Sequence, residues 1–335
     1  MSTKPAPNSF LTSIVIASRY LSVWIGLALL VLVAYIIAPA TLSHASLSAV
    51  LPLASFLAIA ALGEMLVIMT GGIDLSIPGT ITLASLVVVG VAGKSDDKLA
   101  LAILVALAVS SLAGLANGLL VGVLKLNALI VTLAVGGIVY GIAIAYSAGI
   151  ARESAVPELL STWSGNQFLD ISAIFWLALI ITLLLALIFR FTVLGRRFQS
   201  VGANPVAAWI IGIRVDRYEV FAYVIASMLY GLSGILLAGF LQSPSLVIGA
   251  PYLLGPIAAV VIGGASLAGG LASATSTWAA ALFLTLLSQM LRVLGLPTAL
   301  QFVVFGAAII GGMVISGDRI ITVIENLFRV RTEGK

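Results

Sequence analysis

The chain has 335 residues, of which 61% are hydrophobic and 8% charged, whereas soluble domains average about 25% charged. With only sixteen basic and twelve acidic residues, apolar runs of spanning length must recur between charges, so a water-soluble globule is excluded and a polytopic membrane protein remains. Zero Cys and a single His, His44, exclude disulfides, thiolate sites and a His-based metal cluster. The net charge of +4 reads as basic cytoplasmic loops rather than as a nucleic-acid surface.

Taken in chain order, the apolar runs predict an all-α protein with about ten transmembrane helices, eight at the fewest, at 21–38, 47–69, 78–93, 99–122, 126–149, 173–189, 220–242, 253–267, 274–294 and 298–316. The runs beginning at Pro78 and Leu253 fall short of the roughly 20 residues that cross a bilayer, which makes them candidates for broken or re-entrant segments. Ala38-Pro39-Ala40 imitates a signal-peptidase site, but the preceding run exceeds a signal h-region of about 7–15 residues, so the first span is expected to be retained. An N-terminus inside places twelve of the sixteen basic residues on the cytoplasmic side and leaves Lys94, Lys98, Arg152 and Arg292 outside, as the positive-inside rule requires. Both termini are therefore expected in the cytoplasm. The divisions are an N-terminal segment 1–20, a membrane domain 21–316 with an inside loop 190–219, and a C-terminal tail 317–335.

Polar residues at membrane depth are the first candidates for a solute path. They are Glu64, Asn117, Gln289 and Gln301, with Thr82, Ser85 and Thr132 in support. Glu64 also admits a local reading, as a cap or partner near the inner interface. The string Met69-Thr70-Gly71-Gly72-Ile73-Asp74-Leu75-Ser76 breaks the second helix, and Asp74 and Ser76 suit the start of the helix at Pro78. Gly90-Val91-Ala92-Gly93-Lys94-Ser95 imitates a phosphate-binding loop, but two residues separate its glycines where four are needed, so no ATP site is expected. Gly114, Gly118 and Gly122 recur every fourth residue, either as a groove for a neighbouring helix or as the ordinary glycine enrichment of membrane helices.

The inside loop is the most informative segment. Asn204 suits an N-cap, Pro205 the first helical position and Gly212 the left-handed residue past the end. Val206, Trp209, Ile210 and Ile213 fall at the spacing of one helical face. Flanked by Arg196, Arg197, Arg214 and Arg217, that apolar face fits either an anionic lipid surface or a groove on a cytoplasmic partner; the sharp caps favour docking. Farther on, Gly263-Gly264 through Leu267 imitates Gly71-Gly72 through Leu75, hinting at two related halves.

The strings 69–76, Asn117-Gly118-Leu119-Leu120, Leu129-Ile130-Val131-Thr132-Leu133, 202–208 and 260–270, in this order and spacing, resemble the permeases of ribose-, xylose- and arabinose-type ABC importers over nearly the whole chain. The resemblance implies an inner-membrane, multi-pass permease subunit of a bacterial importer for a simple sugar or polyol, without enzymatic activity or cofactor. It implies as partners a cytoplasmic ABC ATPase, a periplasmic sugar-binding protein and a second permease subunit, identical or not. The segment 202–212 matches the family's ATPase-coupling loop. Gly71, Gly72, Asp74, Ser76, Gly263 and Gly264 match its motif loops, and no chemical role carries over to Asp74. The competing reading is an ion-coupled secondary carrier, which would depend on Glu64; a single buried acid is sparse for that mechanism.

Overall fold

The structure, a computed structural model, describes residues 9–149 and 155–316. Helices α1 (Ser9–Ile37), α2 (His44–Met69), α3 (Ile77–Ala92), α4 (Leu99–Gly118) and α5 (Ala128–Gly149) are followed by the short α6 (Glu158–Gly165). A two-stranded hairpin, β1 (Gln167–Phe168) with β2 (Ile171–Ser172), leads into α7 (Ala173–Phe191), α8 (Val193–Ala203) and α9 (Pro205–Ile210). The remainder comprises α10 (Val215–Leu241), α11 (Gly255–Ile262), α12 (Ala274–Val293) and α13 (Thr298–Ser316). Each of the ten apolar runs coincides with one long or short helix. The first helix begins earlier than the run, at Ser9, and α6 and the hairpin lie where only a connecting loop was expected. Lys4, Arg152 and the tail 317–335, which enter the charge argument, lie outside the described residues.

Side-chain caps explain several of the helix starts. Ser43, Ser172, Thr192 and Ser273 each accept a bond from a backbone N–H in the first turn of α2, α7, α8 and α12, satisfying donors that the helix itself leaves unpaired. Among the described residues, seven helices are long and apolar enough to cross a membrane, while α3 and α11, of 16 and 8 residues, are not. These two are the runs that were too short in the sequence. A span needs about 20 residues because each adds only about 1.5 Å, so α3 and α11 sit within the bundle as partial helices.

Burial sorts the long helices into layers. In α2, 89% of the residues in the most apolar stretch are buried, against 17% in α1 and in α7. Helix α2 is thus the central post, packed on α7, α10, α11 and α12, and the apolar outer sides of α1, α4, α5 and α7 are left for lipid or another subunit. The glycine stripe of α4 is the groove that admits α10. A Cβ at Gly118 would stand 2.8 Å from Val220 Cα, one at Gly122 3.1 Å from Glu219 Cβ, and one at Gly114 would collide with the Tyr223 carbonyl. Small residues at this spacing let two backbones close to contact distance.

Candidate functional site

Two places combine several of the candidate residues. The first is the break between α2 and α3. Glu64 is wholly buried; its Oε1 accepts from the Asp74 backbone N–H at 3.1 Å and its Oε2 from the Tyr230 hydroxyl at 2.9 Å. Asp74 Oδ1 accepts from the Ser76 N–H at 2.8 Å and from the Ser76 hydroxyl at 2.6 Å, a turn that starts α3. Asn117 of α4 donates to Ser76 Oγ at 2.9 Å and, more weakly, to Asp74. Thr132 of α5 accepts from the Leu75 N–H at 3.0 Å. Side chains of α2 and α5 thus satisfy the backbone of the interruption, while α4 and α10 hold the side chains that line it, as a low-dielectric interior demands. Burial holds the Asp74 carboxyl above the ordinary carboxylate range, at about 6, against the opposing effect of the bonds from Ser76 and Asn117.

The two glycine motifs form the same cap at the ends of α2 and α11. Gly71 has φ +86° and its N–H reaches Ile68 O, while Gly72 N–H reaches Val67 O; Gly264 has φ +88° and reaches Val261 O, while Ala265 N–H reaches Val260 O. In both, a left-handed residue closes the helix with paired back-bonds, a conformation that glycine adopts at little cost. The structural counterpart of Gly71 is therefore Gly264, one residue beyond the expected pairing of Gly71 with Gly263. The two loops also touch, since Gly270 N–H donates to Met69 O at 2.9 Å. Gly202, near the end of α8, fills the remaining gap; a Cβ there would collide with the Met69 carbonyl.

The second place is α9, and its caps follow the sequence. Asn204 Oδ1 accepts from Ala207 N–H at 3.0 Å, Pro205 opens the helix and Gly212 has φ +84°. Val206, Trp209, Ile210 and Ile211 are between 67% and 72% exposed. Ile213 departs from the expected face: it is half-buried and packs with Val201, Ala208 and Val215. The left-handed turn at Gly212 redirects the chain, so helical spacing no longer places residue 213 beside 206, 209 and 210. Helix α8, which holds α9 in place, was not anticipated within the inside loop.

The four path candidates do not come together. Glu64 and Asn117 belong to the α2–α3 break. Gln289 donates to Ser46 Oγ at 3.0 Å at the first turn of α2, and Gln301 donates to Leu296 O at 2.8 Å. These partners lie at the opposite end of α2 from Glu64. Sequence reading missed Tyr230 and Tyr223, which stand seven residues apart on one side of α10, and it missed the structural weight of Gly202. The signal for the tyrosines was their polar tip inside an apolar run.

Among the described residues, seven helices long and apolar enough to cross a membrane, with α2 at their centre and the turns after α2 and α11 in contact, define a multi-pass membrane protein. Residues 46–313 match the family described as branched-chain amino acid transport system / permease component, and the chain belongs to that family. It is 33% identical over 303 residues to the autoinducer 2 import system permease protein LsrC of Enterobacter sp. (strain 638), covering 90% of this chain and 87% of that one. A probable ABC transporter permease protein, y4mJ, of Sinorhizobium fredii is 30% identical over 285 residues, 85% of each chain. LsrC of Klebsiella pneumoniae is 32% identical over 303 residues, again 90% and 87%. No solved structure matches the chain. The expected importer permease and its inner-membrane, multi-pass placement are borne out. Membership also implies work alongside an ATPase and a periplasmic binding protein.

Proposed function

We propose that the chain is one of two permease subunits of an ATP-driven importer for a simple sugar or polyol, with α9 as the contact to the ATPase. The observation that carries this reading is the exposed face of Val206, Trp209, Ile210 and Ile211 on a capped helix bordered by arginines. Apolar side chains outside the spans and this exposed suit a protein groove. Two routes lead inward from α9: through Gly202 to the junction of the Met69 and Gly270 loops, and through the first turn of α10. A displaced α9 would press on both, and rigid helices would convert this into opening at one end and closing at the other.

The seven long helices and three shorter apolar ones support ten membrane segments, with both termini on the α9 side. Arg190, Arg196, Arg197, Arg214 and Arg217 flank α8 and α9, which supports a cytoplasmic location for that end. In this reading residues 1–20 and 317–335 are cytoplasmic ends and 190–219 is the coupling segment. The Gly93-Lys94-Ser95 segment follows helix α3 directly, Gly93 ending it at φ +58°. A phosphate-binding loop follows a strand, so the work of ATP is assigned to the partner. The hydroxylated solute is supported by the resemblance to sugar permeases, and import as the direction by the relatives named as autoinducer 2 import permeases. Glu64, with both carboxylate oxygens engaged in holding the α2–α3 break, speaks against the ion-coupled carrier.

The test is to purify the chain in mild detergent with its associated proteins and measure ATP hydrolysis with each of a panel of sugar-loaded periplasmic binding proteins. A co-purifying ATPase stimulated by one loaded binding protein is the expected result. Sugar transport by the chain alone, driven by an ion gradient in ATP-free vesicles, would overturn it.

A further inference from the structure

The outer side of α7 carries a line of apolar side chains to the very end of the helix. Ile180, Leu184, Leu187 and Phe191 fall at i, i+4, i+7 and i+11, on one face, and are 53%, 54%, 52% and 65% exposed. Phe191 is the last residue of α7, and after Thr192 the chain turns into α8. The turn is tight. A Cβ at Gly195 would collide with the Phe189 backbone, and Phe198 is buried among the rings of Phe189, Tyr218 and Phe221 at centroid distances of 5.2–6.1 Å. With Gly195 and Phe198 fixing the inner side of α8, Val193, Arg196 and Arg197, at i, i+3 and i+4, share the outer one, and all three are exposed.

Positive charge gathers at the same corner. Arg190 Cζ lies 5.5 Å from the centre of the Phe191 ring, which sets the cation beside the last member of the apolar line. Among the described residues, Arg190, Arg196 and Arg197 form no ion pair with an acid. Uncompensated cations at the end of an apolar line are matched by an anion at the depth where hydrocarbon meets water. A second copy of the chain fits poorly, since a contact of like patch with like patch would set these charges against their equals. The ATPase has its own apolar face on α9. This corner instead continues the exposed line of a spanning helix, which places it at the bilayer surface.

We propose that the α7–α8 corner binds an anionic phospholipid of the leaflet on the α9 side, its phosphate held by Arg190, Arg196 and Arg197 and its acyl chains lying along the apolar line of α7. Val193 dips into the interface between the two. Guanidinium groups suit this task because their planar forks bond phosphate oxygens in pairs. The other end of α8 brings Gly202 against the Met69 carbonyl, and α9 follows directly. A headgroup bound at the first turn therefore pins, from outside the bundle, the helix that carries α9.

The experiment is native mass spectrometry of the full chain in mild detergent, with phosphatidylglycerol and phosphatidylcholine of the same acyl chains offered in equal amounts. The wild-type chain should retain phosphatidylglycerol in preference by at least about tenfold, since each arginine near an anionic surface contributes about a fivefold gain. Combining Arg190→Gln, Arg196→Gln and Arg197→Gln should remove the preference, whereas Arg214→Gln with Arg217→Gln, beyond α9, should leave it as in the wild type. The three single substitutions carry the test if the triple variant melts early, each lowering the preference about fivefold. An excess of inorganic phosphate should not displace the lipid, because the acyl chains supply part of the contact. No preference in the wild type would overturn the proposal, as would a preference that survives the triple substitution or falls equally with the Arg214 and Arg217 pair. Displacement by inorganic phosphate would assign the corner to a free anion instead. Loss of a co-purifying ATPase from the triple variant, with lipid retention unchanged, would assign it to the ATPase. The lipid ratio is read whether or not an ATPase co-purifies, so it stands or falls apart from the importer reading.

Discussion

At the α2–α3 break, an acid pair, an amide and two hydroxyl-bearing side chains are buried where the hydrophobic effect alone would place hydrocarbon; on α9, four large apolar side chains face outward from a helix bordered by arginines. Both regions invert the ordinary rule of burial, yet their partners differ. Glu64, Asp74, Ser76 and Asn117 find hydrogen bonds inside the chain, so the inversion there is complete within one subunit and holds a helix interruption in place. Val206, Trp209, Ile210 and Ile211 are left largely uncovered by the described residues, so that inversion calls for a second molecule. A polar group in the core points to architecture when satisfied, and an apolar face outside the spans points to assembly when uncovered.

The sharpest way to break this contrast is Trp209→Glu. It is expected to abolish ATPase association, at least about a hundredfold loss, because an interface aromatic is replaced by an unpaired charge, while the melting temperature stays at the wild-type value. Retained pull-down of the ATPase would remove α9 from the interface. Gly118→Leu should act oppositely, on folding and not on docking: side-chain atoms driven into the Val220 backbone should cost about 3 kcal/mol, read as early melting in detergent. An unchanged melting curve would disprove the α4–α10 groove. Tyr230→Phe, which strips one bond from buried Glu64, is expected to cost about 1–2 kcal/mol in the same assay. Asn204→Ala should fray α9 by about 1 kcal/mol and weaken ATPase affinity about fivefold without altering the melting of the membrane bundle. Lys94→Ala should leave ATP turnover of the assembled complex unchanged; a lost turnover would reinstate the glycine-lysine-serine segment as a nucleotide site.

Much of this contrast could be read from the chain itself. The ten apolar runs lie on ten helices, because hydrocarbon enforces backbone pairing within each segment and apolar length alone then marks the element. The caps of α9 were legible because Asn204, Pro205 and Gly212 each act on their own neighbours, within a few bonds. The pairing of Gly71 with Gly264 was off by one residue, since sequence similarity weighs side chains while the cap is set by which backbone turns left-handed. Ile213 escaped for a related reason, as periodicity assumes a helix that continues, and Gly212 ends it.

The sequence by itself determined the class of protein, the number and placement of apolar helices, the two short ones among them, and the capped helix of the inside loop; these are consequences of local composition and short-range hydrogen bonding. Only the tertiary structure decided which polar residues meet. Glu64 and Tyr230 are 166 residues apart and Asp74 and Asn117 are 43 apart, and in helices this uniformly apolar no periodic stripe reveals how each one is rotated about its axis. That rotation is set by packing, through Gly63 and Gly118 admitting α10 and Gly202 admitting the Met69 carbonyl, and packing is a property of pairs of helices that no single stretch of chain contains.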